Sequence, residues 1–232
     1  MVVAPRTGLA ETSRMRNIPR DLPSGISLIA GALLGLLVMA FHPTGHDLAR
    51  PGQFGAMAHL NVAVHSLALF ATPLVFFGLL GVARRLSPSP LATAALVAFG
   101  FNTVALLGAA VASGYVATEV IERSLSAEPA GQELYHTLLW YTGRLNQGFA
   151  RVGVFASSAG LVLAGLAILR HRRMPRGLGI LGLAVGLLTA LMLAVGHLRL
   201  DVHGFGAVVL VQAIWLVWAG GLLCREGSAP DA

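Results

Sequence analysis

The sequence predicts an all-α, polytopic membrane protein: a six-transmembrane-helix bundle with both termini cytoplasmic. Three observations predict it. Of the 232 residues, 56% are hydrophobic and only 11% charged, whereas a soluble domain carries about a quarter of its residues charged to keep its surface wetted. The apolar residues fall into six runs. Each approaches the roughly 20 residues that a helix rising about 1.5 Å per residue needs to cross a hydrocarbon core. The basic residues, all 16 of them arginine, cluster at alternate ends of those runs.

Residues 1–24 read as a cytoplasmic N-terminal arm, 25–224 as the transmembrane domain and 225–232 as a cytoplasmic tail. The spans are expected at 25–41, 56–83, 91–118, 147–169, 178–198 and 202–223. Lipid offers no partner to an unpaired backbone group, so these runs must be helices rather than open sheet. Small residues recur through them, as in "GLGILGLAVGLLTALMLAVG", and permit close helix approach. A cleaved signal peptide competes for the first run, but that run exceeds a normal h-region and lacks a good A-x-A site. No internal repeat is apparent.

Arginine sets the orientation. Arg6, Arg14, Arg16, Arg20, Arg84, Arg85, Arg170, Arg172, Arg173, Arg176 and Arg225 fall on one side of a six-span topology, leaving five on the other. By the positive-inside rule the eleven are cytoplasmic, in a plasma (inner) membrane of prokaryotic style. The net charge of +6 is thereby a membrane-flanking pattern and implies no nucleic-acid partner. The lone cysteine, Cys224, can form no intrachain disulfide and no multi-thiolate metal site.

The polar residues then sort by side. His42, His46, His59, His65, His136, His197 and His203 all belong to the outer half or outer loops, and only His171 joins the inner arginines. Asp47, Glu119, Glu122, Glu128, Glu133 and Asp201 share the outer side. "HPTGH" cannot continue a helix, because Pro43 and Gly45 favour a turn. On the second span His65 lies about 9 Å deeper than His59 and about 240° around the helix, so the two need different partners. Asn61 shares a face with His65. "HLRLDVHG" forms a tight outer turn. After the "EPAG" break a short outer helix is expected to run into the fourth span, with His136, Trp140, Arg144, Gln147 and Arg151 within roughly 80° of one another. Arg151 is expected to face the bundle interior and to pair with Glu119, Asp201 or a bound anion, since a central lipid-facing arginine costs about 2.5–3.5 kcal/mol. Asn102 and Gln212 are expected to hydrogen-bond between helices.

These residues imply an outward-facing His/carboxylate/Arg pocket. One reading makes it a transition-metal site (Zn, Cu, Fe or Ni) with His65, His59 and His203 as inner ligands and His42, His46, His197 and His136 as the remaining pool. Another makes it a small polar ligand site using Arg151, Gln147, Arg144, Asn61, Glu119 and Asp201. A third makes the chain a non-enzymatic transport component or assembly subunit, with a membrane protein partner or a second copy and no metal. No catalytic residue is assigned, because no nucleophile elbow, Cys/His pair or phosphate-cradling loop is present. "HPTGHD" resembles a His-Pro-containing segment of the membrane accessory proteins of hydrogenase and urease. The resemblance spans only those residues, with the Gly, Asp and second His spaced differently, and assigns no family.

Overall fold

The computed structural model describes residues 21–44 and 54–225. All the regular elements among them are helical: α1 (Leu22–Phe41), α2 (Phe54–Arg85), α3 (Pro90–Val111), a one-turn π segment (Ala112–Val116), α4 (Ala117–Leu125), α5 (Pro129–His171), α6 (Arg176–Ala194) and α7 (Val202–Arg225). Six helical stretches are long and apolar enough to cross a membrane, with α3, the π segment and α4 forming one of them. The chain is therefore built as a multi-pass membrane protein.

Local chemistry sets the helix ends. α3 begins where the Ser89 hydroxyl accepts from the Ala92 amide, with Pro90 as the first helical residue, a position where the missing N–H costs nothing. Pro129 likewise takes the first helical position of α5, without a side-chain cap before it. α5 closes on Arg172, whose left-handed φ of 53° stops the helix. The expected outer helix and fourth span are one continuous rod of 43 residues, about 64 Å long. The fifth span ends at Ala194 rather than 198, because the chain turns through Gly196 at a φ of +78°. His197 consequently lies in the loop and does not close the helix.

The spans pack cyclically, α1 on α2, then α3, α5, α6, α7 and back to α1. At one end the arginines tie neighbours together. Arg84 donates to Ser24 Oγ at 2.8 Å, Arg85 lies 3.6 Å from Asp21, and Arg173 donates to the Ser87 carbonyl. The half of the bundle nearest this end is solid. Leu28, Leu79, Phe99, Leu161, Ile168, Leu178 and Leu223 surround Trp215 there, drawn from all six spans. Trp215 has no exposed surface, and its indole N–H donates to the Leu178 carbonyl at 3.0 Å. That bond satisfies the one polar group the ring brings into an apolar core. Around the outside, Leu33, Leu37, Phe70, Phe101, Val104, Leu187 and Leu188 are exposed, as a lipid-facing surface requires.

Small residues let the helices meet. At the α5–α6 crossing a Cβ on Gly165 would lie 2.6 Å from the Gly179 carbonyl oxygen, whereas one on Gly221 of α7 would meet nothing within 4 Å. Gly165→Ala must push two backbones apart, and we expect it to cost about 1–3 kcal/mol. Gly221→Ala should be neutral or slightly stabilising. Thermal unfolding of the two variants in detergent measures the contrast, and equal midpoints would refute backbone contact at Gly165.

Candidate functional site

The opposite half of the bundle is hollow. A partly open cavity of about 1000 Å³ lies there, lined by residues of α1, α2, α3, α4, α5 and α7. Its deepest side chains include Ala71 and Thr72 of α2 and Leu106 of α3. Its outer wall is made by α4 and the first half of α5, among them Ile121, Leu125, Tyr135 and Leu139. Most of the wall is apolar. Among the described residues Asp201 is the one carboxylate on it, and no arginine lines it.

The most ordered polar feature of this wall is a pair of imidazoles. His42 caps the C-terminus of α1, and His65 lies one-third of the way along α2; their Nε2 atoms are 3.3 Å apart. The rings meet edge to face at 69°, with centroids 4.8 Å apart. His42 Nδ1 is 2.8 Å from the Pro43 carbonyl, and His65 Nδ1 is 2.7 Å from the Asn61 carbonyl. A carbonyl can only accept, so each Nδ1 carries its proton and donates it. In the neutral tautomers both Nε2 lone pairs therefore point into the same gap. Burial holds the His42 imidazole below the ordinary histidine range, against the opposing pull of its Pro43 hydrogen bond.

The π segment seats His65. A Cβ on Gly114 would lie 2.3 Å from His65 Cβ, so only glycine allows the ring to lie against that turn. The wide turn leaves backbone carbonyls without regular α-helical partners, and Asn61 fills the need. Its side-chain amide donates to the Ser113 carbonyl at 2.9 Å and to Thr118 Oγ1 at 3.0 Å. Thr118 in turn donates to the Gly114 carbonyl at 2.7 Å. Asn61 is almost fully buried and fully engaged on its amide side, which is how a polar residue survives in an apolar interior. One turn further from the solid core, Gln147 of α5 donates to the Leu200 carbonyl at 2.9 Å, and Asp201 accepts the Gly204 amide at 2.8 Å. These bonds pin the loop that leads into α7.

The expected site residues divide cleanly. His42, His65, Asn61, His136, Gln147, Asp201 and His203 line the cavity. His59 is exposed and does not line it, in keeping with its different helical face from His65. His197 is also exposed, in its loop. His46 and Asp47 lie outside the described residues. Among the described residues no three His, Cys, Asp or Glu side chains gather closely enough to hold a metal together, so the six described outer histidines do not form one ligand set.

The arginine expectation is corrected. Arg151 is exposed on α5 and lines no part of the cavity. It lies 20 residues, about 30 Å, before the arginine-rich end of the helix. That depth is the far interface rather than mid-membrane, and there a long side chain reaches water at little cost. Its proposed acids are engaged elsewhere: Glu119 pairs with Arg123 at 2.6 Å, and Asp201 holds Gly204. Arg144 is exposed too, its guanidinium 5.2 Å from the Trp140 ring centroid. Of the two mid-span amides, Gln212 donates to Ser157 Oγ at 2.9 Å, joining α7 to α5. Sequence reasoning missed the π segment, Gly114 and Thr118. The one signal for them was a "SGY" triplet inside a long apolar run, which the many other glycines of these spans do not distinguish.

No family model, curated protein or solved structure matches the chain.

Asn61→Leu keeps the volume but strands the Ser113 carbonyl, and we expect a loss of about 1–2 kcal/mol. Thr118→Val should cost less on its own, and the two losses should fall short of additive in the double variant. A thermal-unfolding cycle over the four proteins reads this, and strict additivity would show that the two side chains act separately.

Proposed function

We propose that the chain is a binding protein of the plasma membrane, with both termini cytoplasmic. Its non-cytoplasmic cavity takes up a small molecule with an apolar body and a polar group read by imidazole and amide. The observation that carries this reading is the cavity itself: about 1000 Å³ of mostly apolar wall with His42, His65 and Asn61 together on one side. Binding sites for small molecules have this composition, an apolar lining with a few placed polar groups that fix orientation. Among the described residues the wall carries no guanidinium, which favours a neutral or cationic ligand over a phosphate or a carboxylate. The solid half around Trp215 supports binding over passage, because a transport route would have to cross that packed core. The transport or assembly role considered from the sequence therefore stands second.

The sidedness rests on eleven of sixteen arginines lying on one side, the asymmetry that positive-inside insertion produces. In a Cys224→Ser background, an impermeant maleimide should label Gly131→Cys in intact cells and Arg172→Cys only after permeabilisation. The reverse pattern would invert the topology.

Gly35 and Gly143 both line the cavity, and a Cβ there meets nothing closer than 3.8 Å. The Gly35→Phe/Gly143→Trp variant starts from two positions with room for a side chain to begin and is designed to fill the space, with elution volume and helical circular dichroism checking that it folds. Solvent extraction and mass spectrometry of the detergent-purified chain should recover a defined apolar molecule near one per chain, depleted about tenfold in the filled variant. Equal recovery from both proteins, or recovery of bulk lipid and detergent only, would overturn the reading.

A further inference from the structure

We infer that the gap between His42 Nε2 and His65 Nε2 is a binding site for one divalent transition-metal ion, held by two imidazoles with its remaining positions open to the cavity. The inference deepens the binding reading above. It rests on that cavity only for the extra ligands and stands on its own geometry for the ion.

Three features of the pair point to a metal. First, both rings present bare nitrogens to one another. With each Nδ1–H committed to a main-chain carbonyl, the neutral pair directs two lone pairs into one gap, an arrangement that repels unless something positive lies there. Second, the spacing suits an ion. Two nitrogens each 2.0–2.1 Å from a tetrahedral ion lie about 3.3–3.4 Å apart, and the Nε2 atoms are 3.3 Å apart. Third, the surroundings are those of metal-bound histidine. A ligating imidazole characteristically donates its other N–H to a backbone carbonyl, which fixes the tautomer and raises its basicity. Both rings here do so, and Gly114 further restrains His65 by contact.

Two neutral imidazoles and no thiolate select a borderline ion such as zinc, cobalt, nickel or copper(II) over calcium or magnesium, which want oxygen. No third protein ligand is in reach among the described residues. Water or the polar group of a cavity-bound molecule completes the coordination, whereas a structural site is closed by four protein ligands. The two parts of the cavity then have one purpose: the apolar wall holds the body of a molecule while the ion meets its polar end.

The test uses the full chain, purified in a chelator-free detergent buffer, titrated with Zn²⁺ and, separately, with Co²⁺. The expected result is one ion per chain by elemental analysis, with cobalt absorption bands of imidazole coordination. His42→Ala, at a helix end, and His65→Gln should each weaken uptake about tenfold or more, while His59→Ala leaves it unchanged. Elution volume and helical circular dichroism confirm that each variant is folded. Uptake should fall on acidification, because protons compete for the same Nε2 lone pairs. Substoichiometric metal in the parent chain, full uptake by folded His42→Ala and His65→Gln, or an equal loss in His59→Ala would each overturn the site. Zinc uptake preserved in the Gly35→Phe/Gly143→Trp variant, alongside loss of its apolar molecule, keeps the failure of either reading separate from the other.

Discussion

Everything in this molecule answers to one constraint: away from water, each backbone N–H and C=O must find a partner inside the protein. Regular helix is the default answer, and six spans adopt it throughout the solid half. The departures are the informative part. The π segment at Ala112–Val116 interrupts the hydrogen-bond ladder, and Asn61 and Thr118 repair it from within the bundle. The irregular stretch at 195–201 is repaired by Gln147 and by the Asp201 cap. Both repairs stand beside the cavity. Irregular backbone is tolerated where protein or a lined cavity surrounds it, and this chain concentrates it there.

The same constraint divides the bundle into two regions of different character. Towards the arginine-bearing end, glycine contacts bring backbones together and Trp215 fills what remains. Towards the other end α4 and the first half of α5 stand beyond the tight crossings, and the helices enclose space instead of excluding it. A binding site needs this pairing of a rigid floor with an unfilled mouth, because an ordered wall limits the entropy lost when a ligand arrives.

The architecture was readable from composition because lipid imposes a coarse rule. Run length, small residues and arginine placement sufficed for six helices, and only the ends moved, at Gly196 and at the merged outer helix of α5. The different faces of His59 and His65 followed from helical rotation alone. The site was legible only in part. His42 and His65 were candidates among seven histidines, but nothing in the spacing of 23 residues announces that their Nε2 atoms meet. That meeting depends on the packing of α1 against α2 and on Gly114 of the π turn, both set by tertiary contacts. Arg151 was misplaced for the converse reason. Its distance along the chain from the arginine cluster was clear, but the length of the rod carrying it was not, so an interfacial residue was taken for an interior one.

The five-residue π turn also acts as a phase adjuster. A regular α-helix advances about 100° per residue, and the wide turn accommodates one residue that an unbroken α ladder would not. Without that residue, everything after Val116 would rotate by roughly a quarter-turn or more about the helix axis. Val120, Ile121 and Ser124, which now form part of the cavity's outer wall, would swing out of alignment with it, and Thr118 would leave Asn61. One inserted position thus decides which side of the outer helix faces inward, and the shape of the mouth is encoded in a local count of residues rather than in the identity of those that line it.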